Sequence, residues 1–106
     1  MFKLIINTFA EEALEEISQK DKRAFRRLVN ALDELEQKGL QSSNIKSLKN
    51  APKIFRKRVG RWRILFTIER QIIDVWIIAI EKDTKKDYKG WISFITYQHK
   101  ERRGRK

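Results

Sequence analysis

The sequence predicts an α+β fold: a short N-terminal strand, a two-helix hairpin, then an antiparallel sheet of about three further strands with a short C-terminal element. Three observations carry this. Apolar residues recur at helical spacing between Ala10 and Leu35, alternate with period two between Phe55 and Ile68, and run almost unbroken from Ile72 to Ile80. The 106 residues suit one core. We assign a single domain to residues 1–98 and expect the basic stretch 99–106 to be a disordered tail.

Residues 2–6, Phe-Lys-Leu-Ile-Ile, read as the first strand. Thr8-x-x-Glu11 has the pattern of a capping box, which starts a helix from Phe9 to Ser18. Its stripe is Ala10, Ala13, Leu14 and Ile17, with Glu11, Glu12, Glu15 and Glu16 facing water. Asp21 caps a second helix that ends near Lys38, with Phe25, Leu28, Val29, Leu32 and Leu35 as its stripe. Gly39 supplies a left-handed C-terminal residue, with Leu40 packing back. Residues 41–53 read as a polar loop pinned by Ile45 and Leu48.

Residues 54–68 read as a tight hairpin. Gly60-Arg61 suits a two-residue type II′ turn, which pairs Val59 with Trp62, Arg58 with Arg63, Lys57 with Ile64 and Phe55 with Phe66. Alternation then puts Phe55, Val59, Trp62, Ile64, Phe66 and Ile68 on one face, and Arg56, Arg58 and Arg63 on the other. Like charges directly opposite each other destabilise a sheet. A bound anion, most naturally a phosphate, offsets that cost. After a turn at Glu69-Arg70-Gln71, the apolar run to about Glu81 fits a central strand covered on both faces. Residues 82–90 are polar. Residues 91–97 are ambiguous: Trp91, Phe94 and Ile95 fit a helix face, while the composition favours a strand. Trp62 and Trp76 read as core, and His99 as a solvated tail residue.

The net charge is +11, and it is unevenly placed. Residues 1–38 carry seven basic and eight acidic side chains, whereas residues 39–106 carry eighteen basic and six acidic ones. That asymmetry is the footprint of a polyanion binder, the alternative being a basic solvated surface kept for solubility. With no cysteine there is no disulfide framework or thiolate metal site, and a lone histidine does not build a metal site. The longest apolar run, Val75–Ile80, is far short of a membrane span, and residues 1–9 are too short and polar for a signal peptide. We expect a cytoplasmic protein that needs no cofactor or metal and does not associate with a membrane.

The layout, together with Arg-x-Arg-Val-Gly-x-Trp-Arg-Ile from Arg56 to Ile64, resembles the toxins of the RelE/ParE superfamily of type II toxin–antitoxin modules. The resemblance covers about residues 1–88. It implies one of two activities: ribosome-dependent cleavage of mRNA in the RelE-like branch, or inhibition of DNA gyrase in the ParE-like branch. The RelE-like branch is the better match. By that resemblance Arg56, Arg58 and Arg63 would hold the scissile phosphate, Lys82 would be the next basic residue, and Tyr88 the tyrosine beyond it. The implied partners are a cognate antitoxin, the ribosome and mRNA. A non-catalytic basic RNA-binding module, such as a decayed toxin, is the third reading.

In such cleavage a 2′-hydroxyl attacks the adjacent phosphorus and the 5′-oxygen leaves. Arginines suit the dianionic transition state because their planar donors match phosphate oxygens and stay charged. Tyr88 could stack on an unpaired base. Arg58 stands where the best-known relatives have a lysine, and arginine is a poor base. Glu81, Asp83 and Asp87 are the alternative bases, and Lys82 could act as general acid. The alternative for Arg56 and Arg58 is a salt bridge to an acid on a neighbouring strand. Trp91, Ile92, Phe94 and Ile95 either pack as a terminal helix or form part of a partner surface.

Overall fold

A computed structural model describes residues 1–81 and 88–104 of the chain. The elements run β1 (Lys3–Ile6), α1 (Thr8–Lys20), α2 (Lys22–Lys38), a 3-10 turn (Gly39–Gln41), β2 (Ile45–Leu48), β3 (Ala51–Val59), β4 (Trp62–Glu69), β5 (Ile72–Ile80) and α3 (Tyr88–Gly104). The sheet order is β1-β5-β4-β3-β2; β1 runs parallel to β5 and every other pair is antiparallel. The α+β class and the order strand, two helices, sheet agree with the reading of the sequence. The C-terminal element is a helix.

The first helix starts differently from the capping-box reading. Thr8 already lies within α1, and Asn7 is the N-cap, with no capping bond from its side chain. The Asn7 amide instead donates to Asp74 Oδ1 at 3.3 Å and to the Val75 carbonyl at 3.1 Å. Its backbone N–H also reaches the Val75 carbonyl, at 2.9 Å. Asn7 therefore ties the start of the helix to β5 rather than to the helix's own first turn. Asp21 is the cap expected for α2, accepting from the Ala24 N–H at 3.0 Å. Gly39 does take a positive φ of 57°, but Leu40 is exposed. The ring of Phe2 occupies that corner instead, so close that a Cβ on Gly39 would lie 2.5 Å from it.

Residues 41–53 are not simply a loop. Ile45–Leu48 form an edge strand that pairs with β3 between Ala51 and Lys57, with a register shift between Ser47 and Leu48. Ile45 and Leu48 do pin the segment to the core, as expected. The β3–β4 register is the predicted one throughout: Phe55 opposite Phe66, Lys57 opposite Ile64, Arg58 opposite Arg63 and Val59 opposite Trp62. Gly60 has φ 61° and Arg61 does not share the positive φ, as a turn with glycine first requires.

Two apolar layers cover the sheet. On one face Ala10, Ile17, Leu28, Leu32 and Leu35 of the helix pair meet Val59, Ile64, Phe66, Ile73, Val75 and Ile78. On the other, Ile95, Trp91, Ile92 and Phe94 of α3 pack against Leu48, Ile54, Leu65, Trp76 and Ile77. Burial of β5 on both faces follows from this sandwich. Phe94 also meets Phe9 of α1 edge to face, with centroids 5.4 Å apart. The strand preference of residues 91–97 is thus overridden by a stripe that only a helix could present to this face. The helical backbone continues through Gly104, taking in residues 99–104 of the stretch expected to be a disordered tail.

Candidate functional site

The sheet face beneath α3 also carries the arginines. Arg56 lies opposite Leu65 and Arg58 opposite Arg63. Arg58 is exposed and Arg56 half-buried, and neither makes an ion pair among the described residues. Arg63 is different, with only 5 % of its surface exposed. Its Nη2 lies 2.9 Å from Glu81 Oε2, and its Nη1 donates to the carbonyls of Gly60 at 2.8 Å and Trp62 at 2.9 Å. Its Nε is buried and meets no acceptor among the described residues. The like-charge pair at Arg58–Arg63 is thereby relieved: one guanidinium is neutralised by Glu81 and the other faces water.

Of the five residues the sequence singled out, Arg56, Arg58 and Arg63 share one patch of sheet. Lys82 lies outside the described residues, as do Asp83 and Asp87. Tyr88 begins the backbone of α3, and its side chain lies outside what is described. Glu81 is the candidate base that the fold brings into contact with an arginine. Its backbone N–H bonds the Arg61 carbonyl at 2.8 Å, which anchors the end of β5 to the hairpin turn.

Two groupings were missed in the sequence. Lys57, 2 % exposed, points toward the helices and donates to Glu34 Oε1 at 2.8 Å, Ser42 Oγ at 2.7 Å and the Ser43 carbonyl at 2.7 Å. Three acceptors satisfy its three donors. The hydrogen bond from Lys57 and a second from the Ser43 N–H hold the Glu34 carboxyl well below its ordinary 4.5, at about 2. The available signal was alternation: Lys57 falls on the Phe55–Val59 face, where a charge needs a partner. The second grouping corrects the reading of His99. Its Nδ1 is 3.4 Å from Thr67 Oγ1 and its Nε2 is 3.2 Å from Glu69 Oε2, and the same hydroxyl accepts from Trp76 Nε1 at 2.8 Å. His99 links α3 to β4 rather than standing in solvent.

Among the described residues no helix is long and apolar enough to cross a membrane, and no group of three or more histidine, cysteine or acidic side chains is gathered as a metal site would need.

No protein-family model matches this chain, and the comparison with curated proteins finds no match. Solved structures do match. The chain is similar to the YoeB/ParE toxin from Agrobacterium tumefaciens, with a TM-score of 0.67 at 13% identity over 76% of this chain and 99% of that one. It is similar to a chain of the YoeB–YefM complex from Staphylococcus aureus, with a TM-score of 0.64 at 15% identity over 76% of this chain and 98% of the other. It is similar to a chain of the archaeal RelE–RelB complex from Pyrococcus horikoshii, with a TM-score of 0.63 at 18% identity over 74% and 93%. Nearly all of each of those chains is matched, and about a quarter of this one lies beyond the shared fold.

Proposed function

We propose that this chain, which has the fold of the RelE/ParE toxin superfamily, is the toxin of a type II toxin–antitoxin module and cleaves mRNA on the ribosome. The observation that carries the reading is the arginine patch beside a carboxylate: Arg56 and Arg58 without acidic partners among the described residues, next to the Arg63–Glu81 pair. Arg56 and Arg58 bind the scissile phosphodiester, as planar guanidinium donors suit phosphate oxygens. Arg63, fixed by two carbonyls, adds positive charge where the transition state becomes dianionic. Phosphate competes with Glu81 for Arg63, and the Glu81 carboxylate takes the proton of the attacking 2′-hydroxyl. Lys82 serves as general acid to the leaving 5′-oxygen, and Tyr88 stacks on a base. No metal or cofactor is required. The partners are the antitoxin, which a neighbouring gene encodes, together with the ribosome and mRNA, and the setting is the cytoplasm.

Two of the similar structures are complexes with a second protein, YefM and RelB, and a further YoeB–YefM structure from Staphylococcus aureus is named a toxin–antitoxin complex, which supports the antitoxin partner. The second reading is inhibition of DNA gyrase. What favours it is that the buried Arg63 is already neutralised by Glu81, so the patch offers fewer free cations than a nuclease could use.

The test is brief induction of the gene in cells carrying a reporter mRNA. The nuclease reading expects growth arrest, relief by the neighbouring gene product, and cuts that vanish when the reporter's start codon is removed. Arrest with intact mRNA and a DNA-damage response would reject it for the gyrase reading. Neither arrest nor cuts would leave the binding module.

A further inference from the structure

On the opposite side of the hairpin turn lies a second cationic feature. A cleft of about 300 Å³ opens between α2 and the outer edge of β3, lined by Arg27, Asn30, Asn44 and the edge from Arg58 to Gly60. The strand edge is open there because β2 begins only at Ile45. The last bond to it runs from the Arg58 N–H to the Asn44 carbonyl at 3.0 Å, so β2 does not pair with Val59 or Gly60. The guanidinium of Arg27 lies over the turn; a Cβ on Gly60 would sit 3.0 Å from its Nη2 and 3.1 Å from its Nη1. Glycine thus lets this arginine approach the turn from the helix side while Arg63 Nη1 holds the Gly60 carbonyl from within the hairpin.

The charge balance of the cleft is decided by its one carboxylate. Glu34 is committed to Lys57 and to Ser43, and its charge is met in full by the buried ammonium. Arg27 and Arg58 have no acidic partner among the described residues. The cleft is therefore left with the uncompensated guanidinium of Arg27, the Arg58 side chain belonging to the other sheet face with Arg56, and with amides from Asn30 and Asn44 that can donate as well. That donor set, on a strand edge continuous with the arginine patch, suits an extended chain of phosphates.

We propose that this cleft is a second phosphate subsite, in which Arg27 binds the backbone of single-stranded RNA that crosses the hairpin turn from the Arg56–Arg58 patch. The inference rests on the RNA reading given above for the orientation of the strand, but its binding test does not depend on cleavage. One RNA strand bound on both sides of the turn is fixed in register relative to the patch, and base identity is not read in the cleft.

The experiment is fluorescence anisotropy of the full-length protein with a labelled single-stranded RNA decamer of mixed sequence, over a range of salt concentrations. Arg27→Gln is expected to weaken binding several-fold at low salt and to flatten the log–log salt dependence by about 0.7, the value for one lost single-strand phosphate contact. Arg27→Lys is expected to recover part of the loss. Arg23→Gln, which removes the same charge from an exposed position of α2 outside the cleft, is expected to change affinity far less. Thermal melting establishes that each variant is folded. Equal losses for Arg23→Gln and Arg27→Gln would reduce the effect to net charge and overturn the subsite. So would unchanged binding by Arg27→Gln, or Arg27-dependent binding that is tighter to duplex DNA than to RNA. Arg27-dependent RNA binding by a protein that makes no cuts would keep the subsite and reject the nuclease. Cuts with Arg27-independent binding would do the reverse.

Discussion

Arg63 and Glu81 form an ion pair of 2.9 Å at the end of the sheet, with the arginine almost wholly buried and the carboxylate two-fifths exposed. Arg58, directly across the strand pair from Arg63, is exposed and has no such partner among the described residues. One arginine of the facing pair is built into the fold and the other is available to a ligand.

Glu81→Gln separates the two duties of that carboxylate. It removes a competitor for Arg63 and also removes the proposed base. RNA affinity should rise while the rate of cleavage falls by about two to four orders of magnitude, the usual contribution of a positioned proton acceptor. Single-turnover cleavage measured beside equilibrium binding checks both. Cleavage at the wild-type rate would exclude Glu81 as the base.

Lys57 is satisfied only as a set with Glu34, Ser42 and Ser43. Glu34→Leu strands a buried ammonium and should cost about 3 kcal/mol or more. The double variant Lys57→Met, Glu34→Leu replaces the pair with apolar groups and should return to within about 1 kcal/mol of wild type. Urea unfolding of the three proteins measures the coupling.

The same pair sets an acid limb of stability. The Glu34 carboxyl is held at about 2, against 4.5 ordinarily, by its bonds from Lys57 and Ser43. A depressed carboxylate pKa means that the unfolded chain takes up the proton first. Its contribution is complete above about pH 4.5 and is lost as pH falls toward 2. The urea midpoint of Glu34→Gln should therefore fall less steeply than that of the wild type across this window. Parallel curves would assign the acid sensitivity to other groups.

The C-terminal helix is part of the core. Ile95 is fully buried among Leu48, Ile54, Leu65, Trp76 and Ile77. Ile95→Ala should cost about 2–5 kcal/mol. Truncation after Tyr88 exposes that whole face and should lower the melting temperature and produce binding of an apolar dye. A truncated protein that melts like the full chain would show that α3 adds nothing to stability.

The hairpin was legible because a single constraint, glycine first in a two-residue turn, fixes every later pairing, and alternation then places the arginines together. β2 was hidden because it is an edge strand: Lys46 and Ser47 face solvent, and its four residues carry too few apolar side chains to display a period. α3 was only half legible, since its residues fit a helix face while their composition favours a strand. Trp91, Ile92, Phe94 and Ile95 favour strands individually, and only the uncovered sheet face explains why they form a helix. The capping box failed because Asn7 lies one residue earlier and is drawn to Asp74 and Val75, partners more than 60 residues away. Arg56, Arg58 and Arg63 could be grouped from the sequence, but the separation of a buried arginine with an acidic partner from two with none among the described residues depends on Glu81 meeting β4 from the next strand.

The most direct test of the central claim is primer extension on a translated reporter mRNA after brief induction, comparing the wild type with the folded double variant Arg56→Gln, Arg58→Gln. The wild type is expected to leave cuts within the translated frame and the variant to lose about a hundredfold or more of them, because charge stabilisation of the transition state is removed. Equal cutting by both proteins would move the phosphate site off this face, and intact mRNA under a toxic wild-type protein would contradict the nuclease itself.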